Sequence, residues 1–401
     1  MNHKLLKLSC VTLGLTVSIF FAVGACSAQD AITECGQGVR EKLNVARPDL
    51  EASVKPAVEV LPLAKPTPTL PKIKAQNPQF LLGDDFKRWF DIDTFSLTTR
   101  YRNVRANNGS TLASQQQWQL QFRPRFKFDK KGKFSVSAGI ATGNVFTAGF
   151  DNTGWGTGRG QTNLYVKQMF FDAKPSKKVE IQFGGIAINL GESSEITAFD
   201  VDGYLTGERI VIRHPKAVYF DEVSLTNAYL GDLTRPSIFR RLHRLDDMNY
   251  HQFLVRKQPS KAVGFSADYT FWGGADIFHQ AVRVKPKRFF LTTMLFDTYQ
   301  RVSTSRGFGF NAFAEKAMNK HFIVNGGFAR LDPRLTLNAD RFAPGKRLYA
   351  SISYRPSTMF SITPFIAQGV GRLPAQLSQR TRLDIVMTWN ILETLHKYRI
   401  F

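Results

Sequence analysis

Cysteine is scarce and poorly placed to staple a fold. The 401-residue chain has three, Cys10, Cys26 and Cys35. Everything beyond Cys35 therefore lacks both a disulfide and a thiolate metal site. A Cys26–Cys35 bridge stays open only if Cys26 is retained and not lipidated. Long apolar runs are nearly absent as well. Residues 8–25 (LSCVTLGLTVSIFFAVGA) form one. No later segment reaches the roughly 18 apolar residues that a spanning helix needs. Without such a helix, the mature chain is either soluble or crosses a membrane as a closed barrel, the other fold that satisfies its own backbone.

Acidic residues are in the minority, 32 Asp and Glu against 54 Lys and Arg, for a formal charge of +22. Such an excess first suggests nucleic acid. The N-terminus argues otherwise. Lys4 and Lys7 precede the apolar run and small residues (GACSAQ) follow it, as in a secretory signal. The reading is a signal peptide over residues 1–28. The alternative is a lipobox, VGAC (23–26), with Cys26 as a lipidated N-terminus. The length of the apolar run also leaves an uncleaved anchor open. An exported chain meets no cytoplasmic DNA, so no nucleic-acid partner is expected.

Catalytic signatures are missing too. Outside the leader lie His214, His243, His251, His279, His321 and His396, none in HExxH spacing, and there is no GxSxG. An outer-membrane lipase needs a Ser–His pair near a lipid interface, for which His251 or His279 would be the base. GWGTGRG (154–160) lacks the GK[ST] ending of a phosphate loop. The expectation is a non-enzyme without cofactor or metal.

Two textures remain. Residues 29–79 are rich in proline (Pro48, Pro56, Pro62, Pro66, Pro68, Pro71, Pro78), which forbids regular helix or central strand. They read as an extended linker or partial plug, with room for one short helix near 30–45. Residues 80–401 alternate apolar and polar. In WQLQFRPRFKF (118–128), Trp118, Leu120, Phe122, Phe126 and Phe128 share one face; Gln119, Gln121, Arg123, Arg125 and Lys127 share the other. Pro124, on the apolar face, signals a bulge or a strand end. The same period recurs around Phe95–Arg102, Val179–Phe183, Val263–Phe271, Arg347–Arg355 and Arg382–Ile391.

Connections alternate between short and long. The short ones are DKKGK (129–133), KPSKK (174–178), RHPKAV (213–218), KQPSK (257–261), KPKR (285–288), KAMNK (316–320) and RPSTM (355–359). The long ones include 143–163, 189–207, 231–248 and 332–346. Seven short turns joining eight hairpins give about 16 strands. The fold class is therefore all-β: a transmembrane antiparallel up-and-down β-barrel of about 16 strands (14 or 18 as alternatives), with short periplasmic turns and long external loops. A soluble β-sandwich also alternates, so a soluble secreted β-protein stays a competing reading. So many strands, with Arg, Gln and Asn on the polar faces and aromatics near strand ends, favour the membrane.

Residues 80–401 resemble Gram-negative outer-membrane porins and the alginate-export type of barrel. The resemblance lies in TTRYRNVR (98–105), then WQLQFRPRF, then FSVSAGIATGN (134–144) opening a Gly-rich loop, with FDVDGYLTGERIVI (199–212) farther on. Such proteins commonly end in an aromatic residue on the last strand, as in HKYRIF ending at Phe401. Lys397 and Arg399 stand there where that family usually has apolar residues. The resemblance implies passive diffusion of small hydrophilic solutes and insertion among outer-membrane lipid and lipopolysaccharide. It further implies recognition by the barrel-assembly machinery through Phe401, and a homotrimer in many members.

Alternation turns Arg100, Arg102, Arg123, Arg125, Arg209, Arg213, Arg283, Arg347 and Arg382 into the lumen, with Asp268, Asp297, Glu315 and Asp384 opposing them. Excess positive charge over a wet constriction concentrates anions and slows cations, and Arg suits phosphate or carboxylate. Small anionic solutes are the expected cargo. A structural or adhesive barrel with a plugged lumen is the alternative. RPSIFRRLHRLDD (235–247) is a second basic cluster, read as a solvated loop, a lipopolysaccharide contact or a constriction loop.

Overall fold

The computed structural model describes residues 84–193, 204–215, 219–272, 274–286, 290–303, 307–335, 344–373, 375–376, 378–398 and 400. The leader, Cys26, the proline-rich segment 29–79 and Phe401 lie outside them.

A short helix, α1 (Asp84–Trp89), leads into β1 (Phe90–Ala106), β2 (Thr111–Lys127), β3 (Phe134–Thr142), β4 (Asp151–Gly156) and β5 (Leu164–Ser176). Then come β6 (Val179–Ala187), β7 (Tyr204–Arg213), β8 (Glu222–Tyr229), β9 (Tyr250–Ser260), β10 (Val263–Trp272) and β11 (Ala275–Val284). The remaining strands are β12 (Thr293–Arg301), β13 (Phe308–Ala317), β14 (Phe322–Leu331), β15 (Gly345–Ser357), β16 (Phe360–Val370) and β17 (Gln379–Asn390), followed by α2 (Ile391–Lys397). Apart from β4, each strand pairs antiparallel with the strands before and after it, β3 passing directly to β5, and β1 pairs with β17 from Ser96↔Asn390 to Ala106↔Gln379. That last seam closes the sheet. Sixteen strands form the circuit, with β4 standing outside it. Closure leaves no open edge to aggregate or to expose backbone to lipid.

The repeated Pro-Ser steps have one structural cause. Lys-Pro-Ser at 174–176, Gln-Pro-Ser at 258–260 and Arg-Pro-Ser at 355–357 end β5, β9 and β15, each followed by a two-residue connection. In each, the strand bearing Pro carries one residue more than its partner. The register jumps from Ala173↔Ile181 to Ser176↔Val179, from Phe265↔Lys257 to Val263↔Ser260, and from Tyr354↔Ile362 to Ser357↔Phe360. A bulge accommodates the missing proline donor. In two of the turns the serine hydroxyl then accepts a backbone N–H two residues on, from Lys178 and from Ala262, both at 3.2 Å. Pro124 behaves similarly: it pairs with Ile92, and the register shifts across Asp93 on the partner strand.

The outward face is apolar around the circuit. Phe126, Phe171, Phe183, Ile210, Leu225, Phe253, Phe296, Leu348, Ile366 and Met387 are all exposed. Toward the short-turn rim aromatics gather: Phe322 stacks on Tyr354 at 4.7 Å, Phe134 stacks on Phe171 at 6.4 Å, and Trp389 is exposed opposite Phe360. This is the belt expected at a lipid interface. On β15 the alternation is complete. Arg347, Tyr349, Ser351 and Ser353 are buried inward; Leu348, Ala350, Ile352 and Tyr354 are exposed outward. Placing charge on that outer face, as in Ile352→Arg, should cost about 2–4 kcal/mol of folding free energy in bilayers, whereas Ser351→Arg, facing inward, should cost far less. Denaturant titration of vesicle-folded protein would measure both.

Four features differ from the sequence reading. The loop 143–163 contains β4, which pairs with Gln115–Trp118 of β2. β2 has 17 residues and β3 only 9, so the upper edge of β2 lacks its neighbour and the loop supplies one. On the long-loop rim, β1–β2 and β10–β11 are joined tightly, over residues 107–110 and 273–274. Tyr204–Gly207, read as loop, begin β7. The terminal stretch is not a strand: after Asn390 the chain turns into α2, whose cap is the Asn390 carboxamide accepting from Glu393 N–H at 3.3 Å. Asn followed three residues later by Glu is a helix-start signature, and it takes Ile391 out of the last strand.

Candidate functional site

Because the outside is apolar, the polar chemistry of this chain is concentrated on the inward face. All nine arginines named from the sequence occupy inward register positions, spread over β1, β2, β7, β11, β15 and β17. They are not equivalent. Arg102 and Arg382 share the Asp384 carboxylate, at 3.1 and 2.6 Å. Arg347, on β15, lies within electrostatic reach of Arg382. Arg100 donates to Gln117 at 2.8 Å and stacks over Phe150 at 3.6 Å. The wall from β15 through β17 to β1 thus carries four guanidiniums and one carboxylate, with Arg100, Arg102 and Arg382 acting on Asp384. Asp384, set opposite the arginines by the sequence reading, stands among them: alternation fixes which face a residue takes, not which strand lies across the barrel.

The remaining arginines hold separate stations. Arg123 donates to the Tyr204 hydroxyl at 3.0 Å, and Arg125 pairs with Asp93 at 2.8 Å. Arg209, buried, donates to Thr226 at 2.9 Å and to Gln182 at 3.3 Å. Arg213 bridges Glu180 and Glu222.

Halfway round the circuit from β1 lies β10, and here carboxylates gather. His279 Nδ1 lies 2.6 Å from Asp268 Oδ1, and its Nε2 lies 3.5 Å from Asp297 Oδ1. The imidazole stacks on Tyr299 at 4.6 Å. Asn311 donates to Asp297 at 3.1 Å, and Tyr349 donates to Asn311 at 2.6 Å. These inward side chains tie β10 through β15 together laterally. Glu315 takes the inward register nearer the short-turn end of β13, opposite Asn325.

Sequence reasoning missed Glu192. It lies in the segment after β6, read as an external loop, yet its side chain is fully buried. Arg256 grips one oxygen and Arg283 the other, the latter at 2.6 Å. The Glu192 N–H donates to Ser266 Oγ at 2.8 Å, Asn189 Nδ2 donates to Ser224 Oγ at 3.2 Å, and Gln252 donates to Asn189 O at 2.9 Å. Residues 189–193 therefore fold down inside the barrel onto β8–β12. Arg283, assigned to the cationic lining, sits in this clamp. A single acidic residue in an aperiodic loop carries no signal of its own; the unassigned Arg256 beside Arg283 was the available hint.

The basic cluster at 235–247 is likewise packed rather than solvated at its centre. Ile238 and Arg241 are fully buried. The Arg241 guanidinium lies 3.8 Å over Phe146 and donates to the backbone carbonyls of Gly231 and Asp232. Burial lowers its pKa to about 10. Phe146 N–H donates to Leu233 O at 2.8 Å, so the loops at 143–150 and 231–242 form one joined shelf at the long-loop rim.

A closed sixteen-strand antiparallel circuit, apolar without and charged within, defines a membrane-spanning β-barrel. Among solved structures, the chain is similar to a mutant Rhodopseudomonas blastica porin, with TM-score 0.49 and 11% identity over 75% of this chain and 100% of that one. It is also similar to Pseudomonas putida OprB at low pH, with TM-score 0.49 and 9% identity over 76% of this chain and 93% of that one. No family model and no curated protein matches the sequence.

Proposed function

We propose that this barrel is a passive channel of a bacterial outer membrane, admitting small hydrophilic solutes with a preference for anions. The observation that carries the reading is the inward wall of β15, β17 and β1, where Arg100, Arg102, Arg347 and Arg382 stand with a single carboxylate, Asp384. Such an excess of positive charge on the lumen wall concentrates anions and slows cations. In this reading the short-turn rim faces the periplasm, and residues 189–193 narrow the lumen from within. No chemistry is performed; selectivity comes from charge and width.

Swelling of protein-loaded liposomes tests the solute class. Vesicles should swell faster in gluconate than in a cationic sugar of similar size, with a neutral hexose between them. Absence of swelling in all three, with folded protein inserted, would remove the channel reading in favour of a structural barrel.

A further inference from the structure

The short-turn rim holds a cavity of about 610 Å3 on the inner side of the wall. It is built by the β13–β14 turn, the β15–β16 turn, the facing ends of β16 and β17, and α2. Lys320, His321, Arg355, Ser357, Ser361 and Thr388 contribute its polar lining, with Met359 and Phe360 as apolar surface. Its inward position follows from register: Ser361 pairs with Thr388, and Thr388 Oγ1 lies 3.2 Å from Thr98 Oγ1 on the inward face of β1.

One backbone bond and one imidazole-to-backbone bond lock the turns that frame it. Arg355 N–H donates to His321 O at 2.7 Å, and His321 Nδ1 donates to Arg355 O at 2.8 Å. The positions of the two long cations are thereby fixed at their bases. Among the described residues, neither Lys320 nor Arg355 forms an ion pair, unlike Arg102, Arg125, Arg213, Arg283 and Arg382. An ammonium and a guanidinium at one cavity, flanked by hydroxyls, match a phosphate group: the guanidinium can bind it bidentately and the ammonium as a point charge. Glu393 also lines the cavity. A carboxylate there suits an acceptor for a sugar hydroxyl. The volume falls in the range of small-molecule sites, roughly 300–1,000 Å3.

We infer that this cavity at the short-turn mouth is a binding site for a small sugar-phosphate-like solute, held by Lys320 and Arg355. The site is separate from the Arg347–Arg382 wall and does not depend on conduction, because a barrel that passes nothing can still bind at its rim. Titration calorimetry on detergent-folded protein at low salt, with glucose 6-phosphate as probe and glucose as control, tests it without a membrane. Saturable binding of the phosphate ester alone is expected. Lys320→Gln with Arg355→Gln should weaken it at least about tenfold, the loss of two charged contacts. Glu393→Gln, which keeps an acceptor but removes a like charge, should tighten it, a gain that misfolding cannot mimic. No saturable binding by the unaltered protein, or equal binding by the double variant, would overturn the inference.

Discussion

Glu192→Gln should release the segment that narrows the barrel and raise single-channel conductance. The carboxylate lies between Arg256 and Arg283 and is itself fully buried. Removing its charge leaves two guanidiniums facing each other with a neutral amide. Breaking a buried ion pair costs about 3–5 kcal/mol; because both arginines keep about a third of their exposure, the lower end or about 2–3 kcal/mol applies. At 1.4 kcal/mol per tenfold, a loss of about 2–3 kcal/mol lowers the ratio of docked to undocked segment by about 30- to 150-fold. Planar-bilayer recording should show larger and noisier steps, and limited proteolysis should cut near residue 192 only in the variant. Unchanged step size together with unchanged protection would mean that this segment does not limit the lumen.

Arg100→Gln combined with Arg347→Gln should lower anion preference while leaving the barrel intact. Neither substitution removes a member of the Arg102–Asp384–Arg382 ion-paired trio. Two unit charges about 8 Å from the permeating ion each contribute about 0.5 kcal/mol at the dielectric of water, with opposite sign for anion and cation. Screening at 0.1 M roughly halves this, so the anion-to-cation permeability ratio should fall about fivefold, and the effect should shrink toward nothing at 1 M. Reversal potentials at both salt concentrations would measure it. A ratio that does not move would take these two residues out of the selectivity wall.

The strands were legible because a barrel wall has two different solvents, and period-two alternation records both. On β15, every residue from Arg347 to Tyr354 takes the side that its polarity indicates. The Pro-Ser turns were legible because proline and serine leave a local backbone signature, which became the bulge-and-turn of β5, β9 and β15. Neighbourhood across the lumen was not legible. Asp384 and Asp268 look alike in sequence, yet one is embedded among arginines and the other is held by His279. Closure and register decide that, and neither leaves a periodic trace. Inward-folding loops were hidden for the same reason: Glu192 and Arg241 acquire their roles from partners 64 and 10 residues away. The end of the chain misled because the alternation of Arg382–Ile391 and the terminal aromatic Phe401 suggested a last strand running on past Asn390, while Asn390 starts a helix.

The most direct test of the channel account is the reversal potential of the purified protein in a planar bilayer under a potassium chloride gradient. The account predicts discrete ohmic steps that reverse toward the chloride equilibrium potential. Steps that reverse toward the potassium potential would contradict the arginine wall as the source of selectivity, and folded, inserted protein that gives no steps would contradict the open channel itself.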